Sequence, residues 1–144
     1  MENVLVRPAK PEDAEAMSRI LSEVSQNSTK MDFKNLTADL PRCSEDTSLV
    51  AEIDGSVVGF MVSYVFHGGF GLERSAWIAT LGVSPSFMGR GIGSLLAREI
   101  ISIYKRKSIR HLFTAVRWDS VDLLSFFKTL GFDRSDFINL RKEM

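Results

Sequence analysis

The chain has 144 residues, 44% hydrophobic and 25% charged, with 18 Lys and Arg against 18 Asp and Glu; this make-up reads as a single globular domain over 1–144, large enough for a core. Zero net charge argues against a general nucleic-acid binder, which carries a basic excess, and no apolar run is long enough to span a bilayer. The lone Cys43 excludes an internal disulfide and suits a reducing compartment; with no secretory h-region at the start, the cytoplasm is the expected location.

Val4–Arg7 reads as a short strand stopped by Pro8. A helix follows from Pro11, because proline suits the first helical turn and Glu12 and Asp13 favour the positive end of the dipole. Ala14, Met17, Leu21 and Val24 recur at helical spacing and give it an apolar face. Gln26–Lys30 is polar and loop-like, and Phe33–Leu40 reads as a second, shorter helix ended by Pro41. The runs Ser48–Ile53 and Val57–Phe66 flank Asp54-Gly55, a strong tight-turn signal between antiparallel strands. His67–Arg74 is glycine-rich and reads as a mobile loop, and Trp77–Val83 as a third long strand. A helix over Ile92–Lys107 carries Leu96, Ile100 and Ile103 on one face and ends in Lys105-Arg106-Lys107, which complements the dipole. His111–Val116 reads as a strand. Val121–Leu130 reads as a helix with Leu123, Leu124, Phe127 and Leu130 inward and Gly131 as its stop, and Phe137–Leu140 as a final strand. Strands in hairpin series interrupted by crossover helices imply an α/β (α+β) fold with a mixed sheet and helices on both faces.

Between the Trp77–Val83 strand and the following helix lies Gly89-Arg90-Gly91-Ile92-Gly93-Ser94. A strand, a glycine turn and a helix start bring several backbone N–H groups onto one anion, and glycine lets the main chain come close to it. The glycines at 89, 91 and 93 do not fit Gly-x-Gly-x-x-Gly, and no lysine follows Gly93, so neither a Rossmann dinucleotide site nor a P-loop is read here.

In this order of elements, Leu81-Gly82-Val83-Ser84-Pro85 followed by Met88-Gly89-Arg90-Gly91-Ile92-Gly93 resembles the acetyl-CoA motif of the GNAT family of N-acetyltransferases. That motif runs Gln or Arg, any two residues, Gly, any residue, then Gly or Ala; Met88 takes the first position and Gly91 and Gly93 the later two. Ser120–Phe132, ending in Gly131-Phe132, resembles the family's second motif, and Val6-Arg7-Pro8-Ala9 with Asp13-Ala14 resembles its opening strand and helix. The likeness covers essentially the whole chain. It implies a three-layer domain with a central sheet of about six to seven strands, acetyl-CoA as co-substrate, no metal, a primary amine as acceptor (a small molecule, a protein N-terminus or a lysine) and, by analogy, a homodimer. Main-chain groups of Leu81, Gly82 and Val83, on a strand that the family splays with a bulge, would hold the pantetheine arm. Met88, Gly89, Arg90, Gly91, Ile92, Gly93 and Ser94 would hold the pyrophosphate. A splay between the third long strand and His111–Val116 would admit the cofactor, and Ser120 and Phe127 would flank its thiol end, with one of Phe126, Phe127 and Phe132 lining the slot.

The chain departs from that pattern where acid and base usually sit. Phe127 stands where the family often has a Tyr acid, and Ala79 where it often has a Glu. The Asn that usually opens the last helix falls on Ser120 counting from Gly131-Phe132, and on Asp119 reading from Trp118. A lysine-type ammonium, with a pKa of about 10.4, needs help to lose its proton, whereas an α-amine near ~7.7–8.0 does not; a leaving thiol of roughly 8.5 can depart without an acid. Phe127→Tyr, which would restore the family's acid, is expected to leave folding intact and to raise turnover. The candidate bases are His67, with a suitable intrinsic pKa, and Asp119, placed directly after a strand, with Glu73 a charged loop residue and Asp122 explained by the helix dipole. A rival reading keeps the fold and drops the chemistry: a non-catalytic acyl-CoA binding or sensing domain.

Overall fold

The computed structural model describes residues 3–24, 45–68 and 73–144. The loop expected at 26–30 and the helix expected at 33–40 lie outside them. Asp54 and Gly55 take φ of 51° and 80°, the positive values a two-residue hairpin turn requires. They join β2 (Ser48–Ile53) to β3 (Ser56–His67). β1 (Val4–Pro8) adds on one side and β4 (Arg74–Val83) on the other, all antiparallel. β5 (Leu112–Thr114) closes the order β1-β2-β3-β4-β5 and runs parallel to β4. The sheet is mixed, as expected, with five strands among the described residues rather than six to seven.

Helices cover both faces. α1 (Ala14–Val24) follows a short 3-10 turn at Pro11–Asp13 and presses Met17 and Ile20 onto Val50, Phe60 and Val62. On the opposite face, α2 (Ile92–Arg106) sets Ile92, Leu96, Ala97 and Ile100 against Leu49, Ala51, Met61, Ala76 and Ile78. Alternation along β3 sends Phe60 and Val62 one way and Met61 the other, which is how one strand serves two cores. The β1–α1 corner is tied by charge. Arg7 donates to both Asp13 oxygens, at 2.8 and 2.9 Å, and to Glu52 at 3.1 Å, while the Lys10 amide donates to Asp13 at 2.7 Å. α3 (Val121–Thr129) completes the described helices.

Three expectations are corrected. β4 starts at Arg74, not Trp77, because Arg74 pairs with His67 across the ladder and its guanidinium binds Glu45 at 2.6 Å. Leu123 and Leu124 are exposed rather than inward: the apolar arc of α3 is broad, and packing chooses the stripe containing Phe127. Phe137–Leu140 forms no strand; Ile138 and Leu140 stay in solvent, and no strand among the described residues pairs with that segment. No helix among the described residues is long and apolar enough to cross a membrane.

Candidate active site

β5 follows β4 only as far as the pair Ile78–Thr114, where the Thr114 hydroxyl also donates to the Ile78 carbonyl at 3.1 Å. The next residue, Ala79, is a bulge: the β3–β4 register jumps from Val62–Thr80 to Ser63–Ile78 and leaves it without an opposite number. A bulge bends its strand and raises the local twist. β4 and β5 therefore part at this point, and residues 80–83 present a main-chain edge that no described strand occupies.

β4 then runs through a 3-10 turn (Pro85–Phe87) to the glycine turn and α2. Gly89 and Gly91 hold φ of 80° and 79°, a left-handed conformation that side chains disfavour, and Gly91 is the N-cap of α2. The first helical bond is Leu95 N–H to Gly91 carbonyl, at 3.0 Å, so the amides of Ile92, Gly93 and Ser94 have no carbonyl one turn back. No side chain caps this terminus and no acidic residue lies in its first turn. Gly93 has a different reason: a Cβ there would stand 3.2 Å from Phe126 Cε1, so its absence lets α3 close against α2.

These parts surround a cleft of about 620 Å³. β4 contributes Leu81, Gly82 and Val83; the turn and helix start contribute Met88, Gly89, Gly91, Ile92, Gly93 and Ser94. Arg90 stays outside the lining, its guanidinium 5.0 Å over the Phe87 ring. Ser120 is the N-cap of α3 and also lies outside it. Phe127 is buried in the core, 5.1 Å from both Phe126 and Phe132 by ring centroid, and of these three Phe126 is the one that meets the cleft. Sequence reasoning missed Val24, Phe87 and Leu123 as walls; the Leu123–Phe126 spacing of one helical turn is the signal that could have found the α3 wall.

The two candidate bases are not brought to this cleft. Asp119 is at the surface, gripped by Arg117 through bonds of 3.0 and 3.1 Å, and those bonds hold its carboxyl below the usual carboxylate range. His67 ends β3, with Nε2 2.7 Å from Glu45. It lies four residues beyond Ser63, about 13 Å along the strand at 3.3 Å per residue. Asp122, in the first turn of α3, is the only carboxylate in the lining among the described residues. The arrangement offers unpaired amides for an anion and an open strand edge for an extended arm. No three His, Cys, Asp or Glu among the described residues are grouped to hold a metal.

Comparison with known proteins agrees with this geometry. The model of the acetyltransferase (GNAT) family matches residues 14–132. Over 95 residues the chain is 30% identical to a mycothiol acetyltransferase of Amycolatopsis mediterranei (strain U-32), a stretch covering 64% of this chain and 32% of that protein. The chain thus spans about a third of that relative's length. Two solved structures share the fold. An aminoglycoside N-acetyltransferase in complex with CoA superposes with a TM-score of 0.84 at 14% identity, covering 99% of this chain and 96% of its own. A ribosomal-protein-alanine N-acetyltransferase from Brucella melitensis biovar Abortus 2308 gives 0.80 at 18%, covering 99% of each.

Proposed function

Since the chain belongs to the acetyltransferase (GNAT) family, we propose that it moves an acetyl group from acetyl-CoA to a primary amine by direct attack within a ternary complex. The observation that carries the reading is the α2 N-terminus, uncapped by any side chain, opening onto the free edge of β4. The amides of Ile92, Gly93 and Ser94 meet the diphosphate, supported by the helix dipole. The edge of Leu81, Gly82 and Val83 takes the amides of the pantetheine arm as it would a neighbouring strand. Bound acetyl-CoA supplies an activated thioester at the point where β4 and β5 part.

The acceptor must arrive as a neutral amine. Its nitrogen forms the N–C bond as the C–S bond breaks, CoA departs as its thiolate with the bonding pair, and the nitrogen's surplus proton leaves to water. Neither Asp119, ionised and held by Arg117, nor His67 at the far end of β3 is needed for that step in the arrangement described. Main-chain N–H groups of the open edge polarise the carbonyl, an effect that asks for no particular side chain. The experiment is isothermal calorimetry with CoA, followed by thiol release from acetyl-CoA over a panel of amines.

The second reading, a domain that binds acyl-CoA without turning it over, is favoured by one observation: Phe127 is buried core and Ala79 is a bulge, so neither supplies a proton. Saturable CoA binding with no thiol release across the panel separates it from the enzyme.

A further inference from the structure

The sheet carries a second feature that the cleft does not use. Val65, Ala76, Ile78 and Leu112 point into the α2 core, so their neighbours Phe66, Trp77 and Phe113 stand on the other face, beside the patch that α1 covers. Trp77 and Phe113 are direct partners in the β4–β5 register and stack at 4.7 Å with 28° between planes. Phe66 meets Trp77 edge-on at 6.0 Å, and Phe137 closes the row against Phe113 at 5.8 Å. Phe66 is 54% exposed, and Trp77 and Phe113 are half-buried.

The position of the row matters. The pair after Trp77–Phe113 is Ile78–Thr114, the last before β4 and β5 part. From Val83 beside the glycine turn back to Ile78 is roughly 16 Å of strand at 3.3 Å per residue. An arm that enters at the α2 N-terminus and follows β4 delivers its acyl end next to these rings. We infer that Trp77, Phe113 and Phe66 form the specificity-determining floor of the acceptor subsite and select a primary amine carried on a flat aromatic body. The inference rests on the acetyltransferase reading and names its substrate class.

The chemistry favours that class. Side chains on strands stand roughly upright. Trp77 and Phe113 turn their faces to each other, so what they offer outward is ring edge, which carries partial positive charge and complements the π face of an aromatic guest. Among the described residues, Glu45 is engaged by His67 at 2.7 Å and Arg74 at 2.6 Å, Asp46 accepts from the Val65 amide at 2.7 Å, and Asp133 and Asp136 line a hollow with Phe113 and Phe137 at the other end of the row.

Trp118 is 87% exposed, so Trp118→Phe leaves Trp77 as the sole indole of a chain that has two. In that variant, 2-phenylethylamine, n-butylamine and spermidine are titrated against indole fluorescence and, separately, assayed for acetyl transfer. The expected result is a saturable change with 2-phenylethylamine, about fivefold tighter than with n-butylamine, the worth of one aromatic pair. Phe66→Ala removes most of that preference through KM, with kcat and the heat of CoA binding unchanged. Equal response to n-butylamine, tighter binding of spermidine, or a preference untouched by Phe66→Ala overturns the subsite. A missing heat of CoA binding overturns the acetyltransferase reading instead and leaves the fluorescence result to stand by itself.

Discussion

Gly91 holds φ of 79° at the N-cap of α2, with nothing within 4 Å of where a Cβ would be. A valine there pays for a left-handed backbone, about 1–2 kcal/mol, and places two methyls over the amides that meet the anion. Gly91→Val is predicted to keep a native near-UV circular dichroism spectrum and to weaken CoA by more than about tenfold, or about 1.4 kcal/mol; unchanged affinity by calorimetry would remove the turn from the site. Phe127 behaves oppositely. Burial at 5% exposure among Phe126 and Phe132 means that Phe127→Tyr puts a hydroxyl into an apolar contact. Thermal melts are expected to show a loss of about 1–3 kcal/mol, with no gain in turnover. The sequence-based expectation that this change leaves folding intact came from counting back to a catalytic position, and counting does not say which way a helical side chain points.

At the scale of elements, the β1–α1 corner depends on the buried Asp13 carboxylate. The Arg7 guanidinium holds its pKa below the usual value, outweighing the upward push of burial, with the Lys10 amide adding to the effect. A depressed folded pKa means that ionisation favours the native state. The stabilisation is therefore complete above the unfolded value of about 3.9 and is lost as pH falls through the lower folded value. Asp13→Asn is predicted to cost about 2–4 kcal/mol at pH 7, since it leaves Arg7 with one carboxylate partner. The gap between variant and parent in urea midpoints should narrow below pH 4; a gap independent of pH would mean that packing, not charge, holds the corner. Elements whose signals are local were the legible ones. Asp54-Gly55 dictates its turn by backbone conformation, and the glycines at 89, 91 and 93 mark a helix start on their own. α3 was less legible: Asp122, Ser125 and Lys128 mark its polar side, but the apolar arc opposite is wide, and only its neighbours decide that Phe127 is buried while Leu123 faces the cleft. Phe137–Leu140 is a short apolar run that suits a strand, but a strand exists only where an edge pairs with it. The bulge on β4 was implied by the family resemblance, but its place at Ala79 was not legible, since alanine suits paired and unpaired positions alike.

For the whole molecule, function follows from a sheet that is closed at one end and open at the other. β4 is paired on both sides from Ala76 to Ile78 and, among the described residues, on one side beyond it. The cleft at the open end contains one carboxylate among the described residues and no imidazole. With no imidazole among the described residues of the cleft and the amine losing its proton to water, log kcat/KM for a lysine-type acceptor is predicted to rise with unit slope in pH toward the amine's own value near ~10.4, and for an α-amine to level off near ~8. A shared inflection for both acceptors would reveal an enzyme group doing the deprotonation. The glycine turn and its family resemblance were visible in the sequence because they are contiguous; the aromatic row across β3, β4 and β5 was not, since Phe66, Trp77 and Phe113 meet only once the strands are in register.

Everything rests on main-chain donors at the start of α2 holding the coenzyme's diphosphate, and titration calorimetry with CoA tests that most directly. The account predicts a saturable one-to-one heat for the parent chain that weakens with rising salt and is largely lost in Gly91→Val. A parent chain that gives no heat with CoA or acetyl-CoA, or a Gly91→Val variant that binds as tightly as the parent, contradicts it.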